Sequence, residues 1–158
     1  MSAQYIYDTA PLGSLIRYSN GEPRPPERFR RKLAAWNNEN GTGRLVERYP
    51  GQATDNYRST AHFMLHLATY GSQGVIVMTV RRAYSVESSL NFEIIDVPKL
   101  GQVRVLTTFR GKDELRHLAA DMASAEAWMR DNPYSGMRAE IVTDADLAVL
   151  SSELRRAA

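Results

Sequence analysis

The sequence predicts an α+β fold in which a mainly antiparallel sheet of about five to seven strands carries about three packed helices. Three observations point there. Apolar runs of strand length recur between residues 62 and 109 with only short polar turns between them. Apolar residues at helical spacing occupy 26–38, 121–132 and 144–154. The chain has 158 residues, 43% hydrophobic and 24% charged, which is the size and composition of one ordinary domain with a real core. A single domain over 1–158 is expected, with an N-terminal arm over about 1–12.

In that arm, Tyr5, Ile6 and Tyr7 can pack on the chain's own core or anchor to a partner. Gly13–Tyr18 alternates as a short strand and stops at the turn signal Asn20-Gly21. Glu22-Pro23-Arg24-Pro25-Pro26 forbids helix and sheet alike and should run extended. Pro26 suits the first turn of a helix, where its missing N–H is not needed, so a helix is expected over about 26–38, ending near Asn40-Gly41. There Phe29, Leu33 and Trp36 fall at i, i+4 and i+7, an apolar stripe by which the helix can dock. Arg28, Arg31 and Lys32 cluster on a neighbouring flank, with Arg30 turned away.

Arg44–Tyr49 reads as a second strand and the polar segment 50–59 as a loop. Phe63, Leu65 and Leu67 share one face of a half-buried strand over His62–Leu67. The β-branched run Val75–Val80 suits a central strand. Leu90–Val97 and Val103–Phe109 follow, separated by the turn Pro98-Lys99-Leu100-Gly101. Such close spacing suggests an antiparallel meander. Leu115–Ala119 is read as a strand. Asp121 is placed to cap a helix through about Asn132, with Ala125, Trp128 and Met129 facing the core and Pro133 ending it. Ala139–Val142 reads as a short strand, and Thr143 or Asp144 caps a terminal helix with Leu147, Leu150 and Leu154 on one face.

Composition narrows function. With no cysteine, disulfides, thiol catalysis and cysteine-based zinc sites are excluded. The N-terminus has no secretory pattern, and the longest apolar run is far too short to cross a bilayer. A soluble cytoplasmic protein without a membrane partner is expected. The net charge is only +2, yet residues 1–60 hold nine Lys+Arg against six Asp+Glu, mostly within Arg24–Lys32. A local basic patch of that kind suits phosphates or an acidic protein surface, although a solvated helix face has the same composition.

Motifs add mostly exclusions. His62 and His66 at i, i+4 would grip a metal only on a helix; on a strand they stand roughly 13 Å apart, so no metal is expected. Gly41-Thr42-Gly43 lacks the lysine and spacing of a P-loop, and Gly71-Ser72-Gln73-Gly74 joins two strands. No Gly-x-Ser-x-Gly occurs, and Ser14 has no supporting context. No catalytic residue and no cofactor is assigned. The candidate binding residues are Arg24, Arg28, Arg31 and Lys32, extended by Arg17, Arg44 and Arg48 on nearby strands. Tyr18 and Trp36 are candidates for stacking on bases, Trp36 being more simply explained as core.

Leu15–Arg28, continuing through Lys32-Leu33-Ala34-Ala35-Trp36, and Arg82-Ala83-Tyr84-Ser85-Val86 resemble accessory proteins encoded on plasmids and other mobile elements of alphaproteobacteria. The resemblance carries over no functional residue. It implies genomic company of transfer, maintenance and anti-defence genes, and hence a small accessory factor, such as an inhibitor of a restriction or CRISPR nuclease. The net charge argues against imitation of DNA. A non-enzymatic binding protein acting on a protein partner is therefore the leading expectation. Second is a nucleic-acid-binding accessory protein using Arg24–Lys32, and third a small enzyme without a sequence signature.

Overall fold

The computed structural model describes residues 1–72 and 75–148. Its elements run α1 (Ala3–Thr9), β1 (Leu15–Ser19), α2 (Arg30–Glu39), β2 (Gly41–Tyr49), β3 (Gln52–Thr54), β4 (Tyr57–Ser59), β5 (His62–Ser72), β6 (Val75–Ser85), β7 (Asn91–Asp96), β8 (Val103–Phe109), β9 (Lys112–Ala119), α3 (Met122–Asp131) and β10 (Met137–Ile141), with helix also at 144–148. The strands form a five-stranded sheet in the order β6-β5-β2-β1-β7, a three-stranded sheet β10-β8-β9 and the small hairpin β3-β4. All described pairings are antiparallel.

Alternation builds the main core. Ile16 and Tyr18 on β1, Leu45 on β2, Phe63 and Leu65 on β5, Tyr84 on β6 and Phe92 on β7 turn to one face of the larger sheet and are buried together. Phe63 and Tyr84 each meet Phe92 edge-on, at 5.5 and 5.4 Å between ring centres, the arrangement aromatic quadrupoles favour. The expected arm is helix α1, and it closes this face. The Ser2 hydroxyl accepts from the Tyr5 N–H at its start, while Ala3, Ile6 and Ala10 are buried against the aromatic cluster. The N-terminal amine donates to the Phe92 carbonyl at 2.9 Å. Ile6 thus serves the chain's own core.

The smaller sheet is covered on one side by α3, where Val103, Val105 and Ala119 meet Ala125, Trp128 and Met129. Asp121 caps α3 as its sequence position requires, accepting from the Ser124 N–H at 2.7 Å. On the other side Leu106 and Leu115 meet Val46, with Leu12 and Met64 packed alongside, and this cluster joins the two sheets. Arg104, buried on β8, bonds Glu140 on β10 at 2.7 Å and Asp146 at 2.6 Å. Asp146 also accepts from the Thr143 N–H and hydroxyl, both at 2.8 Å, at the start of the 144–148 helix. Leu150 and Leu154 lie outside the described residues.

Several expectations are corrected. There are two sheets and a hairpin instead of one sheet, and the strands do not form a meander: β6 and β7 lie at opposite edges of the larger sheet, and β8 leaves for the other. Val75–Val80 is not central. It lies in the edge strand β6, where Ile76, Val77 and Met78 are exposed, because β propensity reports fit to a pleated surface and not the place in the sheet order. Segment 50–59 is not a loop throughout but pairs as β3 and β4. The helix expected over 26–38 begins at Arg30: the Phe29 N–H closes a turn on the Pro26 carbonyl, and helix follows. Nothing on α2 is buried. Its apolar stripe does not dock in a core. Trp36 instead donates to the Glu22 carbonyl at 2.8 Å, and the Asn20 and Asn40 side chains bond across the two ends of the excursion.

Candidate anion-binding cleft

A cleft of about 510 Å³ is lined by the face of the larger sheet that α1 leaves uncovered, by the edge strand β9 of the smaller sheet and by Trp128 on α3. Its floor is set by register. Asp96 on β7 pairs with Leu15 on β1, Leu15 with Arg44 on β2, Arg44 with His66 on β5, and His66 with Arg81 on β6. One transverse row thus crosses all five strands, and directly opposed residues of neighbouring strands point to the same side. Arg116 and His117 on β9 and Trp128 on α3 line the same space from the smaller sheet.

The cations differ in how they are satisfied. Arg81 and Arg116 share the Glu114 carboxylate, at 2.5 and 3.1 Å. Arg116 also lies over the Tyr134 ring, 4.8 Å from its centre. Arg44 donates to the Gly13 carbonyl, and among the described residues it has no carboxylate in ion-pair contact. Gly13 holds that carbonyl in place by its own backbone: φ is +100°, and its N–H donates to Leu45 at 2.8 Å.

Both histidines are held toward the neutral form. Burial lowers the His66 pKa below its usual 6.5, and the Arg81 and Arg44 charges lower it further against a hydrogen bond at Ala68 that raises it. Burial likewise lowers the pKa of His117, with Arg44 adding to the effect. Arg44 is therefore felt from both walls. His66 Nε2 is 2.7 Å from the Thr69 hydroxyl, and His117 lies flat on Trp128 with centres 4.9 Å apart and planes 1° from parallel. A cleft with a guanidinium free of ion-pair contact among the described residues, beside two imidazoles whose protonation is disfavoured, is suited to an entering anion, which would be met by charge-assisted hydrogen bonds.

The residues singled out from sequence do not make one patch. Arg44 reaches the cleft. Arg48, two strand positions past the Val46 bulge, pairs with Phe63 on the opposite face, where burial against α1 lowers its pKa despite the nearby Tyr7 and Asp8. Arg17 is on the cleft side of β1 but is tied to Glu93 at 2.9 Å. Arg24, Arg28, Arg31 and Lys32 are exposed on or before α2, with Arg24 in contact with Glu27 and both Arg28 and Lys32 over the exposed Phe29 ring. Tyr18 is buried and closed to a ligand, and Trp36 is occupied as described. His62 and His66 are on a strand; His62 stacks on Tyr49. No group of three metal-ligating side chains occurs among the described residues. No helix there is long and apolar enough to cross a membrane.

Arg81, Arg116 and His117 are not among the candidate binding residues drawn from sequence, and His66 is weighed there only as a metal ligand. Each sits on a strand facing a wall built from a distant segment, and no short motif links them. The alternation of His66 with the apolar Phe63, Leu65 and Leu67 gave their relative faces, but not what lay opposite.

A family model described as "Uncharacterised conserved protein UCP036055" matches residues 1–146. The chain belongs to this family. The matched span of UCP036055 contains every residue that lines the cleft. No curated protein and no solved structure matches the chain.

Proposed function

We propose that this member of UCP036055 is a binding protein whose inter-sheet cleft holds an anionic ligand. The observation that carries the reading is Arg44: a half-buried guanidinium without a carboxylate partner among the described residues, set between His66 and His117. An anion placed there replaces water with charge-assisted hydrogen bonds, each worth about 1.5–3 kcal/mol. A cytoplasmic location and the service of a mobile element belong to the same proposal; the latter rests on the sequence resemblance alone. Calorimetric titration with inorganic pyrophosphate tests it. Binding that falls at least about tenfold in Arg44→Gln supports the reading, and no binding to the folded wild-type chain refutes it.

A protein partner, the leading expectation from sequence, has its own support in β6. This edge strand carries Ile76, Val77 and Met78, which are 51%, 76% and 51% exposed. Open edges with apolar side chains invite an added strand. Val77→Lys discriminates: it removes such an association and leaves pyrophosphate titration unchanged.

A further inference from the structure

We infer that the anion taken by this cleft is the phosphate end of a nucleotide, with phosphates at Arg44 and a planar base against His117. The inference rests on the anion-binding reading above and narrows its ligand class.

Size is the first argument. The volume of about 510 Å³ lies in the range of pockets for drug-sized ligands and is several times what a bare phosphate fills. Something must occupy the remainder. The second argument is the surface that remainder meets. The His117 imidazole and the Trp128 indole both line the cleft and lie parallel to each other, a stack that a planar base can extend. Bases of any sequence stack on such platforms because each has a π-face. Arg116, laid across Tyr134 at 4.8 Å, presents a second planar group on the same wall.

The third argument is charge order along the floor. The row runs from Asp96 through Leu15 to Arg44, His66 and Arg81. Two strand spacings, about 10 Å, separate Asp96 from Arg44, so the carboxylate does not neutralise the phosphate end. A carboxylate in that position suits sugar hydroxyls, which it can accept from, as acidic residues do in dinucleotide sites. An inorganic anion held at Arg44 would not reach Asp96.

Titration of the wild-type chain with ADP, GDP, UDP and inorganic pyrophosphate tests the inference. At least one nucleoside diphosphate is expected to bind about tenfold more tightly than pyrophosphate. In His117→Ala that advantage is expected to disappear, so that nucleoside diphosphate and pyrophosphate bind alike, with an unchanged far-UV circular dichroism spectrum reporting that the chain remains folded. Pyrophosphate binding with no gain from any of the nucleotides overturns the nucleotide inference and leaves the anion reading standing. Failure of both classes of ligand overturns both. A nucleotide advantage that survives His117→Ala overturns the placement of the base.

Discussion

Arg44 and His66 are direct cross-strand partners on β2 and β5, and burial, with the Arg81 and Arg44 charges adding to it, holds His66 below its ordinary pKa. Burial contributes most to that shift, and Arg81, opposite His66 on its other side, adds to it. Two guanidinium groups thus flank one imidazole on the floor of the cleft, and an anion bound there would lower the cost of their proximity.

Removing the cation should therefore act on ligand and histidines together. In Arg44→Gln the pyrophosphate affinity is expected to fall by about 10- to 100-fold, the loss of one or two charge-assisted bonds. The His66 and His117 pKa values should both rise, because Arg44 depresses each. Calorimetry and imidazole NMR measure the two effects independently. Unchanged affinity in Arg44→Gln would place the anion elsewhere, and unchanged histidine titration would show that Arg44 is not a charge that depresses them.

The depressed histidines also set a pH dependence. Unfolded, both bind protons near 6.5; folded, they bind them only at lower pH. Their contribution to stability is then complete above about pH 6.5 and is lost as the pH falls from there through the folded pKa values. Chemical denaturation between pH 7.5 and 5.5 should show this loss, and His66→Gln should flatten it. Anion affinity should move oppositely and strengthen on acidification, since bound anion favours the imidazolium forms. Sulfate, whose charge is constant over this range, is the suitable probe.

The tie between β8, β10 and the 144–148 helix is the most exposed to mutation of the ion pairs. The Arg104 side chain is 7% accessible and is shared by Glu140 and Asp146. Burial raises the Asp146 pKa, but bonds from Arg104 and Thr143 outweigh it and hold the carboxyl below its usual value. Arg104→Ala takes the cation from Asp146 and leaves Glu140 with Arg138 alone at 3.7 Å, and is expected to cost about 1–3 kcal/mol in urea denaturation. Arg104→Met, which keeps the volume, should also leave Asp146 without its cation and should not recover wild-type stability.

Gly13 links backbone strain to the cleft. A Cβ there would lie 2.9 Å from Pro98 Cγ on a backbone with φ of +100°. Gly13→Ala is expected to destabilise by about 1–3 kcal/mol. It should also weaken pyrophosphate binding, since the Gly13 carbonyl seats Arg44. Thermal melts and calorimetry on one preparation read both.

The basic segment first noticed in the sequence should matter little to fold or cleft. No residue of α2 is buried, and Arg28 and Lys32 lie on exposed Phe29. Arg28→Glu combined with Lys32→Glu is expected to change stability by no more than about 0.5 kcal/mol and to leave pyrophosphate binding intact. Loss of nucleic-acid retention in that variant, with steep salt dependence in the wild type, would assign a separate polyanion contact to α2.

What was legible in the sequence follows physical range. The Asp121 cap, the alternation of Phe63, Leu65 and Leu67 and the strand at Val103–Phe109 are local effects, and the structure bears them out. Strand order is not local: nothing near Val75–Val80 says that β5 covers only one of its edges, so its apolar run read as central. Clustering by charge along the chain found Arg28, Arg31 and Lys32, which share a short exposed segment. The cleft needs Arg44 beside His66 and His117 across from them, contacts set by pairing of distant strands and by packing of one sheet on another. Only Arg44 stood among the candidates, and its neighbours there could not be foreseen.

The most direct test of the anion cleft is an imidazole NMR titration, because the chain has three histidines and only two of them line it. His62, stacked on Tyr49 outside the cleft, is the internal control. On addition of pyrophosphate the His66 and His117 resonances should shift and their pKa values rise, while His62 stays in place. Equal small changes in all three, or a response of His62 alone, would contradict binding between the sheets.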